Sequence, residues 1–228
     1  MLAILYDVHG NLPALEAVLA DASKAGATRF VLGGDYALFG PWPAETVQRL
    51  RGLDADWIRG NGERWTATPW EAPDDEVVQG AISASRSELG DTVVDELAAL
   101  PEDHVTDGVR YCHGSPQSDV RSFFPQPADD EEELLSGVSE ERLVFGHTHL
   151  QFMRRSSVGG IELLNPGSVG MPFDGDPRAG YALVGEDREV ELRRVGYDRV
   201  ASAAAVRDRF PAFGETVARR IEQAAFAV

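Results

Sequence analysis

The sequence predicts an α/β fold with a two-sheet core and helices outside, and three features carry that reading. The first hundred residues alternate short apolar, β-branched runs with stretches of helical period, the signature of strand–helix–strand units around a parallel or mixed sheet. Residues 143–195 break into short strands at the tight spacing of antiparallel meanders, and two further helical stretches close the chain. A length of 228 residues with 43% hydrophobic content is enough for one sizeable core, so the span 1–228 is read as a single domain whose C-terminal helices begin near residue 198.

Leu2–Tyr6 is the first strand, followed by a helix whose apolar face is Leu12, Leu15, Val18 and Leu19, with Pro13 suited to its first turn. Phe30–Leu32 is the next strand, Pro43–Arg51 a short helix, and Trp57–Arg59 a third strand running into Gly60-Asn61-Gly62. Residues 75–100 are acidic with a helical pattern; Asp107-Gly108 is a hairpin signal that leads into the strand Val109–Cys112. The segment Pro125–Glu133, with acidic residues throughout 129–133, reads as a solvated excursion before a short helix. Leu143–Phe145, Gln151–Arg155, Ile161–Leu164, Tyr181–Val184 and Val190–Val195 are strands; Asp198–Arg209 and Thr216–Ala225 are helices.

A formal charge of −17 surrounds the molecule with a negative field that repels long nucleic acid. Arginines 49, 51, 154, 155, 193 and 194 are scattered and read as solvated surface, with no basic tract among them. The N-terminal apolar run ends at Asp7 without a cationic flank, unlike a secretory signal, and no segment approaches the roughly 18 apolar residues of a membrane span. One cysteine, Cys112, excludes an intrachain disulfide and fits a reducing compartment, so a cytoplasmic protein is expected. Its neighbour His113 points to the opposite face of the strand, which assigns Cys112 to the core.

Five short motifs place a hard oxygen or imidazole donor just past an apolar strand beside a glycine: Asp7-Val8-His9-Gly10, Gly34-Asp35, Gly60-Asn61, His113-Gly114 and Gly146-His147-Thr148-His149. Strand ends hold such groups rigidly, and the glycines allow close approach. Four of the five histidines fall within these motifs, leaving His104 outside. The mixed nitrogen and oxygen donors favour Mn²⁺, Fe, Zn²⁺, Ni²⁺ or Co²⁺ over calcium.

In this order the motifs resemble those of the calcineurin-like metallophosphoesterase superfamily, over residues 1 to about 195. Two longer stretches, residues 7–16 and Asn165-Pro166-Gly167-Ser168-Val169-Gly170, resemble its small bacterial phosphodiesterase branch. The resemblance implies an αββα sandwich of two packed mixed sheets. It also implies two divalent metal ions, manganese foremost. Asp7, His9 and His149 would hold one ion, Asn61, His113 and His147 the other, and Asp35 would bridge them. A small phosphoester would be hydrolysed by a bridging hydroxide, with no long nucleic acid and no membrane as partner.

In much of the superfamily a histidine follows the asparagine ligand as proton donor; here Gly62 stands there, followed by Glu63 and Arg64. Glu63 or His104 are the candidate substitutes; otherwise the departure fits diesters with good leaving groups. Asn11, Asn61 and Gly62 are candidate substrate contacts. Trp42, Trp57, Trp65 and Trp70 surround the Asn61 loop as core anchors or as a wall for a base. The loops 39–43 and 165–168 are placed to touch phosphate or to fix the histidines. A phosphodiesterase is the leading reading, with a phosphomonoesterase or a non-catalytic scaffold on the same fold as alternatives.

Overall fold

The computed structural model describes residues 1–227; Val228, the end of the expected domain span, lies outside the described residues. The first half of the chain alternates as the sequence predicts: β1 (Leu2–Leu5), α1 (Leu12–Lys24), β2 (Arg29–Leu32), α2 (Pro43–Arg51), β3 (Ala55–Trp57), α3 (Asn61–Ala67) and α4 (Glu76–Ala98). A hairpin follows, β4 (Asp103–Thr106) and β5 (Val109–Cys112), then α5 (Glu131–Leu134), β6 (Arg142–Val144), β7 (Gln151–Arg155), β8 (Glu162–Pro166), β9 (Ala179–Val184) and β10 (Val190–Val195). Two helices, α6 (Arg199–Arg209) and α7 (Gly214–Gln223), end the chain. Among the described residues no helix is long and apolar enough to cross a membrane.

Two five-stranded mixed sheets result, in the orders β10-β9-β1-β2-β3 and β4-β5-β6-β8-β7. Within the first, β1, β2 and β3 run parallel, and within the second β5, β6 and β8 do. Side-chain alternation sorts the core into layers. Ile4, Val31 and Ala182 of one sheet meet Val109, Tyr111, Val144 and Leu164 of the other between the sheets. The opposite face of the first sheet, with Ala3, Leu5 and Leu32, packs on Leu15, Val18 and Leu19 of α1. Cys112, Leu143 and Leu163, on the outer face of the second, pack on Leu134 of α5. The layers are helix, sheet, sheet, helix.

Local chemistry explains the element ends. Asn11 N-caps α1 by accepting from the Ala14 amide, and Pro13 occupies its first turn. Asp107 and Gly108 form the two-residue hairpin turn with φ of 50° and 74°, the left-handed pair that matches strand twist.

Several boundaries differ from the sequence reading. The third strand is Ala55–Trp57, because pairing with β2 sets its register as Phe30 to Ala55 and Leu32 to Trp57. Asn61, expected in a loop, opens a helix. The long acidic helix breaks at Gly90, whose φ of 73° and ψ of 157° are non-helical. Asn165 and Pro166, expected in a loop, extend β8 by pairing with Phe152 and Gln151. The excursion around residue 130 is not wholly solvated: Glu131 is buried, and Arg154 donates to its two carboxylate oxygens at 2.9 and 3.1 Å. Arg194, likewise expected on a solvated surface, pairs with Asp174 and donates to Gln151 at 2.9 Å.

Candidate metal centre

All five donor motifs lie just beyond the carboxyl ends of parallel strands, after β1, β2, β3, β5 and β6, where open α/β sheets gather their ligands. Backbone hydrogen bonds lace the loops together. Asp7 and His9 donate their amides to Gly34 and Asp35 carbonyls at 3.1 and 2.9 Å, Gly146 donates to the His113 carbonyl at 2.7 Å, and Gly170 to the Asp7 carbonyl at 3.0 Å. Ser168, in the loop after β8, donates its hydroxyl to the same Asp7 carbonyl at 2.7 Å.

The donors are held in costly backbone conformations. Nine non-glycine residues among those described have positive φ, and five are Asp7, His9, Asp35, His147 and His149, at 50° to 65°. Left-handed φ at such residues costs of order 1–3 kcal/mol each and persists only where the surroundings enforce it. The conformation turns each side chain inward from a strand end. Gly34, with φ of 98°, has room for no side chain: a Cβ would sit 2.6 Å from the Gly60 amide nitrogen and 2.7 Å from His113 Nδ1.

Asp7, His9, Asp35, Asn61, His113 and His149 are all buried, and His147 is half-buried. His9 Nε2 and His149 Nε2 stand 3.0 Å apart. Asp7 Oδ1 is 4.0 Å from His9 Nε2, 3.5 Å from His149 Nε2 and 3.8 Å from His113 Nε2. Asp35 reaches both sides, with Oδ2 3.9 Å from His9 Nε2 and Oδ1 3.5 Å from His113 Nε2. Asn61 Oδ1 lies 3.0 Å from His113 Nε2 and 2.8 Å from His147 Nδ1. Two groups have donor atoms close enough to share an ion, Asp7 with His9 and His149, and Asp7 with Asp35 and His113.

Three observations fit this donor set to cations. Asp7 Oδ1 is buried with no hydrogen-bond partner, a full desolvation penalty unless a positive centre offsets it. His9, His113 and His149 each turn Nδ1 to a backbone carbonyl, of Leu38, Gly33 and Met171, at 2.9, 2.9 and 2.5 Å, which leaves Nε2 as the inward lone pair. The Asn61 amide oxygen faces two imidazole nitrogens. Without a cation the carboxamide is better satisfied turned over, donating to both rings and to the Asp119 carbonyl; with one, oxygen inward is the ligating orientation.

Burial and mutual repulsion set the charges. Burial opposes ionisation of Asp7, but the imidazoles of His149, His113 and His9 outweigh it and hold that carboxyl below the usual range. Burial, with the Glu63 and Asp7 carboxylates, pushes Asp35 up to about 7 against the pull of His113. Burial and neighbouring imidazoles lower His9 to about 3 and His147 to about 4, so both stay neutral lone-pair donors. Burial also works against His113, but Asp35 and Asp7 raise it above the ordinary value.

Protons and a cation compete for these atoms. Asp35 is pushed up to about 7 and, against burial, His113 is raised by the Asp35 and Asp7 carboxylates, so affinity for Mn²⁺ will fall as pH drops below about 7, by about a decade per pH unit for each proton displaced. Calorimetric titration of chelator-stripped protein between about pH 5.5 and 8.5 measures it; a pH-independent affinity would rule these two residues out as ligands.

The remaining sequence candidates have other partners. Both Glu63 oxygens accept backbone amides, from Asp35 and Gly60 at 2.9 and 2.8 Å and from Tyr36 at 2.8 Å, so the carboxylate holds two ligand loops together. His104 sits on β4 beside Asp56 at 3.8 Å and over Tyr111, with none of the cluster among its partners. Asn11 is buried; besides capping α1 it donates to the Gly170 carbonyl at 2.7 Å and accepts from Ser202 at 2.9 Å. Gly62 donates its amide to Asp35 Oδ1 at 2.6 Å. Asn165 fixes the His-Thr-His turn by donating to the Gly146 carbonyl and the Thr148 hydroxyl at 3.2 and 3.0 Å. Trp57 packs on Tyr36, Trp65 lies against the apolar cluster that joins α4 to the C-terminal helices, and Trp70 is exposed.

Sequence reasoning passed over the loop 115–120. Arg64 forks onto Asp119 at 2.6 and 2.7 Å, and both line a cavity of about 490 Å³ with Arg59, Gln117, Ser118 and His113, on the Asn61 side of the cluster. An Arg and an Asp more than 50 positions apart carry no local signal of pairing. A wider, open concavity of about 1000 Å³ lies at the other end of the second sheet, lined by Arg142, Glu162 and Arg188, and contains none of the donors.

The chain belongs to the calcineurin-like phosphoesterase superfamily, whose domain description matches residues 1–189. It is 30% identical to an uncharacterized protein, MJ0912, of Methanocaldococcus jannaschii, over 92% of this chain and 94% of that one. It is also 29% identical to phosphodiesterase YfcE of Escherichia coli, over 79% and 85%, in keeping with the small bacterial phosphodiesterase branch. The crystal structure of a metallophosphoesterase from Sphaerobacter thermophilus superposes with a TM-score of 0.84 at 27% identity, covering 98% of each chain.

Proposed function

We propose that this chain, as one catalytic domain, is a two-metal phosphodiesterase acting on small or nucleotide-type diesters, with manganese as the metal expected first and iron, nickel, zinc or cobalt as substitutes. The observation that carries the reading is the placement of Asp35, one carboxylate whose two oxygens approach the His9 and His113 sides of a single buried cluster. Asp7, His9 and His149 would hold one ion, Asn61, His113 and His147 the other, with Asp35 shared. When bound, two such ions activate water and neutralise phosphoryl oxygens.

The chain's own residues prepare the rest. Three backbone carbonyls orient the imidazoles, Glu63 and Ser168 fix the loops that carry Asp35 and Asp7, and the cavity beside Asn61 is of a size for one small ester substituent. Preference for the diester is supported by the leaving-group side. Gly62 has no side chain to act as an acid, Glu63 is engaged by three amides, and His104 stands apart, so an ester whose alkoxide leaves readily suits the site. The similarity to YfcE, a phosphodiesterase by name, supports the same choice.

Parallel assay of bis(p-nitrophenyl) phosphate and p-nitrophenyl phosphate, with Mn²⁺ and with EDTA, tests the reading. Manganese-dependent cleavage that favours the diester is expected. Preference for the monoester would move the assignment to a phosphatase, and inactivity on both with several metals would move it to a scaffold.

A further inference from the structure

One side of the cluster carries aromatic rings that no donor motif accounts for. Phe39 meets His9 edge-on with centroids 5.6 Å apart, and Phe173 stacks on His149 at 4.4 Å and 15°. Phe226 extends the line, edge-on to Phe173 at 5.5 Å, and the Arg220 guanidinium lies 4.4 Å from its ring centroid. Although its ring packs on Phe173, Phe226 is 63% exposed.

The segment that delivers this ring is fixed in place. Val217, Ala218 and Ile221 of α7 join Leu38 and Met171, whose carbonyls orient His9 and His149, in one apolar cluster. Ala224 then ends α7 in the left-handed conformation, at φ of 51°, and its carbonyl accepts from the Gly175 amide at 2.9 Å. Arg220 donates to the Phe226 carbonyl at 3.1 Å. A strained residue and two hydrogen bonds thus turn the chain back toward Phe173. The family match ends at residue 189, so the helices and tail that carry Arg220 and Phe226 lie beyond it.

We propose that Phe226, backed by Phe173 and Arg220, is a stacking subsite for an aromatic substituent of the substrate, a nucleobase or aryl group esterified to the phosphate held at the cluster. The proposal rests on the phosphodiesterase reading for the placement of that phosphate. Arg220 covers one face of the Phe226 ring by cation–π contact and holds it in place, and the exposed remainder of the ring is a stacking surface for a base. The Arg64–Asp119 cavity lies on the Asn61 side, whereas this stack lies on the His149 side, so a diester has a separate surface for each substituent.

Calorimetric binding of thymidine 5′-monophosphate and of ethyl phosphate to the manganese-loaded protein tests this without turnover. Phe226→Ala is expected to weaken the nucleotide relative to ethyl phosphate by about tenfold, the size of one base–aromatic stack, and Phe226→Tyr to retain the preference. An affinity ratio unchanged in Phe226→Ala would overturn the subsite. Hydrolysis of thymidine 5′-(p-nitrophenyl) phosphate and ethyl p-nitrophenyl phosphate separates the two claims. A wild-type protein that cleaves neither but shows the binding preference loses the phosphodiesterase reading and keeps the stack. One that cleaves both, with no change of ratio in the variant, keeps the activity and loses the stack.

Discussion

Asp35→Asn is expected to lower kcat/KM for bis(p-nitrophenyl) phosphate by about a thousandfold or more, equivalent to about 4 kcal/mol of lost transition-state stabilisation. The substitution keeps the shape of the side chain and removes a charge whose two oxygens approach opposite sides of the cluster, 3.9 Å from His9 and 3.5 Å from His113. Stability should move the other way in chelated protein. Burial and the carboxylates of Glu63 and Asp7 raise Asp35, so above about pH 7 its ionised form opposes folding, and a neutral amide relieves that. Differential scanning calorimetry with EDTA at about pH 8 should therefore show no fall in Tm. A variant that loses activity and Tm together would assign Asp35 a structural role.

Glu63→Gln is expected to reduce folding stability by about 2 kcal/mol, because the amide turns an NH₂ group toward at least one of three buried backbone donors, a loss that exceeds the relief of removing a carboxylate that burial already disfavours. The native carboxylate accepts from Asp35, Tyr36 and Gly60 and is 3% exposed, so water cannot take over. Those amides belong to the loops after β2 and β3, which carry Asp35 and Asn61, and metal affinity should fall with stability. Urea unfolding of chelated protein measures the first effect. A loss under about 1 kcal/mol would show that the loops are held by other means.

The sequence made the donors legible because each of their five motifs contains a glycine and follows an apolar strand, so strand prediction and motif spacing coincide. The alternation of strands and helices was equally plain, since side-chain period is a local property. What stayed hidden was long-range. The helix at Asn61 and the extension of β8 through Pro166 depend on pairing partners, and the burial of Glu131 depends on Arg154, 23 positions away. Five left-handed non-glycine donors were also invisible, because propensity disfavours that conformation and only assembled loops enforce it. Asn11 and Glu63, read as substrate contact and proton donor, bind backbone groups that become neighbours only in the fold.

The central claim is that one buried cluster holds two ions. Titration of chelator-stripped protein with Mn²⁺ at about pH 8, followed by calorimetry and by metal analysis of the dialysed product, tests it most directly. Two equivalents per chain in the wild type, reduced in both His9→Ala and His113→Ala, are the predicted result. Binding of one equivalent or none would contradict the two-metal centre and remove the basis for the proposed hydrolysis.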